Sequence, residues 1–246
     1  MYRLHLPSVA LALLLAACAD APSPTQAPAP AADSAFALLA GLDADAVAAA
    51  YRRLDGLAHT AEVRLTVSDD AGTRTATRTL ARRPTGDGIE ERLVVTEGDT
   101  TLLRDWTERL RPANPLPALL PEEPAFLVPR SREDYRYAVG PDTVVGGSRL
   151  RVVEAALRPG GASEQAVRRA RYFLRPGTGD VLGVEVVRAS ASAIFDEAGW
   201  ARVLLQPGPD GAPVPALAVV ETTVDVPGAP PRRVRLEQRF RDVRAD

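Results

Sequence analysis

Short segments in which apolar and polar residues alternate make up most of this chain after Gly56. A period of two is typical of strands that bury one face, and clusters of glycine, proline and aspartate separate nearly all of the segments. Because no long crossover helix lies between them, they predict a mainly β fold with one antiparallel sheet of half-barrel, barrel or sandwich type. The predicted strands are 61–67, 73–82, 89–96, 135–139, 150–157, 171–175, 181–187, 200–206, 216–226 and 234–243.

One short helix is predicted before the strands. Asp43 is placed to cap it, Val47, Ala50 and Leu54 follow helical spacing, and Gly56 ends it. A further helical turn is expected over residues 34–40.

A proline-rich segment, residues 111–129, interrupts the strands. It contains six prolines together with several leucines and a phenylalanine. Such a proline density excludes a regular strand and permits only short helical turns. A long, apolar, irregular connection of this kind either packs across the sheet or is exposed for binding.

The amino terminus has the layout of a secretory signal, with Arg3 before an apolar run at 9–17 that is too short to span a bilayer. The run ends Leu15-Ala16-Ala17-Cys18, which resembles the lipobox of bacterial lipoproteins. The resemblance implies cleavage after residue 17 and lipidation of Cys18, the one cysteine of the chain. A plain signal peptide, with Cys18 incidental, is the alternative.

These features predict three regions: a lipoprotein signal peptide at 1–17, a lipidated cysteine with a Pro/Ala-rich tether at 18–32, and a single β-rich domain at 33–246. Several acyl chains on one residue make membrane anchoring effectively permanent. Because the residue after Cys18 is Ala19 and not aspartate, the sorting rule of enteric lipoproteins favours an outer-membrane protein that faces the periplasm.

Composition excludes several functions. The net charge is −2, so the usual positive field of a nucleic-acid-binding protein is missing. All 30 basic residues are arginine, which removes P-loop phosphate binding, Schiff bases and Ser-x-x-Lys acylation. We interpret the arginine-rich runs at 168–171 and 232–235 as a solvated strand face and keep binding to anionic lipid as an alternative.

Candidates for catalysis are few. After cleavage of the signal the chain keeps one histidine, His59, so a histidine and cysteine metal site cannot be assembled, and we predict neither a metal nor a cofactor. His59 is expected to be a hydrogen-bonded residue at the junction of helix and strand. Paired carboxylates at 69–70, 90–91 and 122–123 each have a structural explanation, so we predict no catalytic residues and no enzyme, with a hydrolase as a third option.

The order of features from Asp43 onward resembles the LolA/LolB-like half-barrels of outer-membrane lipoprotein sorting and their periplasmic sensor relatives. The matching stretches are Arg-Arg-Leu-Asp-Gly-Leu at 52–57, the hairpin from Glu62 to Pro84, and residues 134–150, 171–175 and 179–182. The resemblance implies a non-enzymatic protein in which helices cover a concave apolar sheet face that accepts acyl chains.

That resemblance also implies which residues bind the ligand. The cavity would be lined by Val63, Leu65, Tyr137, Val139, Leu174, Val184, Val186 and Phe240. It would be covered or gated by Leu116, Leu119, Leu120, Phe126 and Leu127. The alternative for the same residues is a fully packed core.

We therefore expect an outer-membrane lipoprotein that binds a hydrophobic or lipidated ligand, with a lipoprotein among the candidates, and no nucleic acid. The alternative is a ligand-free envelope module that binds a protein or senses stress. The ligand, the partner and the oligomeric state are left open by the sequence.

Overall fold

The protein is described by a computed structural model that covers residues 32–105, 112–145, 147–161, 166–191 and 196–245. The predicted signal peptide, Cys18 and nearly all of the predicted tether lie outside these residues. Eleven strands form one antiparallel sheet, in the order β3-β2-β1-β11-β10-β9-β8-β7-β6-β4, and β5 pairs with β6. The strands are β1 (Ala58–Asp69), β2 (Gly72–Thr85), β3 (Gly88–Gly98), β4 (Tyr135–Val139), β5 (Thr143–Val145), β6 (Ser148–Leu157), β7 (Val167–Leu174), β8 (Val181–Ala191), β9 (Asp196–Pro207), β10 (Pro213–Asp225) and β11 (Arg232–Arg244).

The sheet confirms the predicted class, a mainly β, antiparallel half-barrel. Consecutive strands are neighbours along most of the sheet. The exceptions are the pairing of β4 with β6 and that of β1 with β11, which joins the amino-terminal strands to the end of the chain. Among the described residues, the edge strands β3 and β4 are not paired with each other, so the sheet stays open. All ten predicted strands are present, and β5, which is three residues long, was not predicted.

The helices are α1 (Ala32–Ala40), α2 (Ala46–Asp55) and α3 (Thr100–Asp105), and 3₁₀ turns lie at Leu116–Ala118, Ala125–Leu127 and Pro129–Asp134. All of these elements except the last turn place buried apolar residues against one side of the sheet, which we call the inner face. The predicted helical turn at 34–40 is a complete helix, and the short turns between the prolines are confirmed.

The start of α2 differs from the prediction by two residues. Asp45, and not Asp43, occupies the N-cap position, and Gly56 follows the last turn as expected. The Asp43 carboxylate instead accepts a hydrogen bond of 2.9 Å from the Asp45 backbone N–H. Aspartate commonly bonds the backbone two residues ahead in this way, and the resulting turn delays the start of the helix.

The outer face carries the charges. Glu154, Arg171, Glu185 and Arg202 stand opposite one another on four neighbouring strands. Glu185 is 3% exposed and is surrounded by Arg169, Arg171 and Arg202. Arg233 and Arg235 likewise approach Glu221 on β10, at 3.6 Å each. These cross-strand ion pairs account for arginines in both runs and support the strand-face interpretation.

The inner face is apolar. One cross-strand row runs through Tyr137, Ala155, Ala170, Val186, Ala201, Val220, Leu236, Leu65 and Ala76. The alternation predicted for the last strand is confirmed, because Leu236, Gln238 and Phe240 share this face while the flanking arginines and Glu237 point to the other. The inner face is therefore the main apolar surface of the sheet.

Candidate ligand-binding grooves on the inner face

The predicted lining residues lie on the inner face or in the segment that covers it, but in three separate clusters. The largest holds Leu116, Leu119, Leu120, Phe126, Leu127, Tyr137, Val139, Leu174, Val184 and Val186, the second holds Val63 and Leu65, and the third holds Phe240. Most of these side chains contact protein atoms on all sides. Phe126 and Val186, for example, are 0% exposed. The face is therefore packed over much of its area, and two grooves with largely apolar linings lie over the rest of it.

Residues 112–134, which we call the covering segment, lie over β4 and β6–β9. Phe126 is held there by its backbone carbonyl, which accepts a hydrogen bond of 2.7 Å from the Tyr137 hydroxyl. Its ring also meets the ring of Tyr135 edge-on, at 6.0 Å between centroids. Leu119 reaches Gly199 so closely that a Cβ at position 199 would lie 2.7 Å from the leucine side chain. The covering segment is thus an integral part of the core on this side.

Gln238 fixes the point at which the covering segment begins. Its side chain is 2% exposed, and its amide bonds both backbone groups of Ala113. The Ala113 N–H donates to Oε1 at 3.0 Å, and Nε2 donates to the Ala113 carbonyl at 3.2 Å. A paired amide of this kind satisfies two backbone groups above an apolar sheet, where they would otherwise lack partners.

The first groove, of about 580 Å³, lies over β10, β11 and β1. It is lined by Leu65, Glu197, Val220, Thr222, Val224, Val226, Pro230, Arg232, Val234 and Leu236. On one side of the groove, Leu102 of α3 packs with Leu65. On the other side, Thr222 pairs with Gly199 of β9, and the Leu119 side chain covers Gly199. The floor of the groove is therefore apolar, and its sides are covering elements.

The second groove, of about 360 Å³, lies between the α1–α2 connection and the covering segment. Its apolar lining includes Leu39, Leu42, Val47, Leu116, Leu120, Pro124, Leu127, Tyr172, Val181 and Val184. Asp43, Asp45, Asn114 and Glu122 supply its polar atoms. Four of the predicted residues, Leu116, Leu120, Leu127 and Val184, meet here, whereas Leu65 alone of the predicted set lines the first groove. Both volumes fall in the range of small-molecule sites.

His59 lies at the start of β1, as predicted, and is buried there, but only one of its nitrogens is hydrogen-bonded within the described residues. Its Nδ1–H donates to the Leu57 carbonyl at 2.8 Å, and Nε2 has no hydrogen-bond partner in the described structure. Burial lowers the pKa of the imidazole, and the positive charge of Arg82 acts in the same direction. Its ring packs edge-on to Phe240 at 6.1 Å.

The paired carboxylates have structural roles. Asp69 accepts from the Ala71 N–H in the β1–β2 turn, Glu91 approaches Arg82 at 3.3 Å, and Glu122 and Glu123 are exposed at a bend. Within the described residues, no group of three histidine, cysteine or carboxylate side chains is arranged to hold a metal ion. None of the described helices is long and apolar enough to cross a membrane.

Several residues of the grooves were not foreseen. Val220, Val224 and Leu236 were predicted to lie in strands but not in a site, and α3 was not predicted. Gln238 had a usable signal, since it is the polar member of an otherwise apolar strand face. No sequence signal marked Tyr172 as a groove residue, because an aromatic residue in a strand is usually a core residue.

A scan against models of known protein families finds no match, and no curated protein matches the chain. Among solved structures, a LolA superfamily protein from Nitrosomonas europaea is similar at 8% identity, over 87% of this chain and 93% of that chain, with a TM-score of 0.25. A DUF1329 family protein from Desulfovibrio piger is similar at 11% identity, over 87% and 93%, with a TM-score of 0.29.

A third solved structure, of MucB in complex with MucA(peri), is similar at 12% identity, over 81% of this chain and 94% of that chain, with a TM-score of 0.23. The resemblance to LolA-like proteins that the sequence predicted is thus found among solved structures. The identities and TM-scores are too low to assign the chain to a family or to transfer a function from these proteins.

Proposed function

We propose that this chain binds a hydrophobic or lipidated ligand on the inner face of its sheet, without catalysing a reaction, as a lipid-anchored protein of the cell envelope. The first groove is the observation that carries the proposal. Apolar residues of three neighbouring strands, among them Leu65, Val220 and Leu236, line about 580 Å³ of space that no described side chain fills. An apolar groove with few polar groups is the usual form of a site for an apolar ligand.

The test uses the full chain with Cys18→Ser, so that no acyl anchor forms. Native mass spectrometry and solvent extraction would identify any ligand carried from the cell. A neutral monoacylglycerol would then be added, and the melting temperature is expected to increase with its concentration by mass action. No bound mass and no thermal shift would contradict the proposal.

Two substitutions on one strand provide a matched control. Val224 lines the groove, and Val224→Asp introduces a charge there, so the thermal shift is expected to disappear. Thr223 points to the outer face of the same strand, and Thr223→Asp is expected to leave the shift intact. Equal loss in both variants would show that the acyl chain does not bind in the groove.

The anchor and the location belong to the same proposal. Lipidation of Cys18 would hold the protein on the periplasmic side of the outer membrane, with residues 18–32 as its tether. The unmodified chain is expected in the outer-membrane fraction and the Cys18→Ser chain outside it. Recovery of the variant in that membrane would contradict the lipid anchor.

A second candidate function, an envelope module that binds another protein, is favoured by β3. This edge strand is exposed along its whole length, and Ile89, Leu93, Val94 and Val95 are 40–50% exposed. Exposed apolar edge strands are common sites of strand pairing. A protein that acts only in this way is expected to show no thermal shift with acyl compounds, which separates the two functions.

A further inference from the structure

The second groove differs from the first in its polar groups. Its apolar walls come from α1, α2 and the covering segment, and Tyr172, Val181 and Val184 of the sheet form its floor. The polar residues at its margin are Asn114 and three aspartates or glutamates, and no arginine lines it among the described residues. The groove therefore combines an apolar interior with an acidic margin.

Tyr172 is the unusual residue of this groove. Its side chain points from the inner face of β7 toward the covering elements, and the residue is 9% exposed. Its hydroxyl forms no hydrogen bond with any group in the part of the chain that the structure describes. Tyr135 and Tyr137 on β4, in contrast, donate to the Val167 and Phe126 carbonyls. Burial raises the pKa of Tyr172 to about 12, so the hydroxyl keeps its proton.

The Tyr172 hydroxyl is not among the completely buried polar atoms that lack a partner, so it opens onto the groove and is not sealed in the core. Because it lines a groove, a ligand can supply the missing partner. The ligand would place a hydrogen-bond acceptor, such as an ester or amide carbonyl, within an otherwise apolar environment.

The margin carries two carboxylates without an ion pair in the described structure. Asp43 lies in the α1–α2 connection and Glu122 in the covering segment, so they approach the groove from opposite walls. The third carboxylate, Asp45, is engaged by Arg52. Asp43 also acts electrostatically on Arg52, which offsets part of its charge, but the two carboxylates together still attract a cation to the mouth of the apolar groove and disfavour an anion.

We propose that the second groove binds a cationic amphiphile: its apolar chain lies on the leucine and valine walls, its carbonyl accepts a hydrogen bond from Tyr172, and its cationic group meets Asp43 and Glu122. The site is separate from the first groove. Its ligand is defined by charge and by one hydrogen bond, whereas the ligand proposed for the first groove is defined by apolar surface.

The experiment uses the full chain with Cys18→Ser and three probes of equal chain length, at low salt and below their micelle concentrations. Decanoylcholine has the cation and the carbonyl, decyltrimethylammonium has only the cation, and decanoate is an anion. Isothermal titration calorimetry is expected to rank their affinities in that order. Binding of decanoate as tight as that of decanoylcholine would overturn the proposal.

Tyr172→Phe removes only the hydroxyl. It is expected to weaken decanoylcholine about three- to tenfold, the effect of one hydrogen bond, and to leave decyltrimethylammonium unchanged. An equal effect on both probes, or on neither, would show that the hydroxyl does not bind the carbonyl.

The charges are tested by Asp43→Asn with Glu122→Gln, which is expected to weaken both cations severalfold and to reduce the salt dependence of their binding. Glu123→Gln is the matched control, because Glu123 is adjacent in sequence but does not line the groove.

Val224→Asp separates this proposal from the proposed function. It is expected to abolish the response to monoacylglycerol in the first groove while decanoylcholine still binds. Loss of both responses in Val224→Asp would place the cationic probe in the first groove and overturn a separate site, whereas loss of neither would contradict only the assignment of the first groove.

Discussion

The two halves of the inner face are covered in different ways. Over β4 and β6–β9, helix α1 and the covering segment pack directly onto the sheet, and Phe126 and Tyr135 are both 0% exposed. Over β10, β11 and β1, the cover among the described residues consists of α2, α3 and the attachment at Ala113, and the first groove remains. We call these the closed half and the open half.

Residue size on the sheet contributes to the difference. In the central row three of the five residues of the closed half are alanines, Ala155, Ala170 and Ala201, whereas three of the four residues of the open half are the larger Val220, Leu236 and Leu65. Small side chains let covering residues approach the backbone, as Leu119 does at Gly199. Larger ones keep the cover at a distance. Space for a ligand therefore arises where the sheet side chains are large and few covering residues reach them.

The largest contrast is expected from truncating one side chain in each half. Phe126→Ala leaves a cavity in the closed half and is expected to lower the free energy of unfolding by about 3–5 kcal/mol. Val226, which lines the first groove and is 42% exposed, is expected to lose less than about 0.5 kcal/mol as Val226→Ala. Urea denaturation followed by circular dichroism measures both. Similar losses would mean that the open half is also packed.

The attachment at Ala113 is expected to have the next largest effect. Gln238→Leu keeps the apolar volume but leaves the Ala113 N–H and carbonyl without partners, at a cost of about 1–3 kcal/mol. Gln206→Leu is the control, because the hydrogen bonds from Gln206 are long, at 3.4 and 3.5 Å. We also expect residues near Ala113 to exchange amide hydrogen faster in Gln238→Leu. Unchanged exchange would show that another contact holds the segment.

A smaller effect is expected at the closest approach of cover and sheet. Gly199→Ala forces the Leu119 side chain to move and is expected to cost about 1 kcal/mol. In a Leu119→Ala background the same change is expected to be neutral or stabilising, because alanine fits a strand better than glycine. Urea denaturation of the four proteins in this cycle gives the coupling energy, and additive costs would contradict the contact.

Much of the sheet could be predicted from sequence because strand alternation is a local property. Each predicted strand is found, although the real ones extend further, as β9 does from Asp196 to Pro207. Helix α3 was not predicted because Thr100-Thr101-Leu102-Leu103 does not show the apolar spacing that is typical of a helix. Its signal was Asp99, whose carboxylate accepts hydrogen bonds from the Thr101 and Leu102 N–H groups as a helix cap does.

The candidate site could be predicted only in part. The resemblance to LolA-like proteins implied that Val63, Leu65, Val184 and Phe240 face inward, and the strand register places them on the inner face. Within one strand, alternation gives the side on which a residue lies, because direction along a strand follows from residue number. Which of them face open space depends on segments distant in sequence, such as Ala113 above Gln238, 125 residues apart. Pairings of that kind leave no local pattern, so the two grooves became visible only in the folded chain.

The smallest effect expected is a pH dependence of stability in the open half. Burial lowers the pKa of His59 below its value of about 6.5 in the unfolded chain, so the unfolded state takes up a proton first as the pH falls. The free energy of unfolding should therefore be constant above about pH 7 and decrease below pH 6.5. His59→Asn can still donate to the Leu57 carbonyl but does not titrate, so this slope should disappear.

Glu237 does not interfere in that range. Ion pairs with Arg239 and Arg235 lower the pKa of Glu237 despite its partial burial, so its contribution is lost only on acidification below about pH 4.3. Urea denaturation of the original chain and His59→Asn at pH 7.5, 6.5 and 5.5 isolates the histidine. If both proteins lose stability equally, a group other than His59 causes the loss. The pKa of His59 is then not lowered by burial, which requires that Nε2 beside Phe240 gains a partner, such as water, that stabilises the charged imidazole. In that case the part of the open half around His59 contains water.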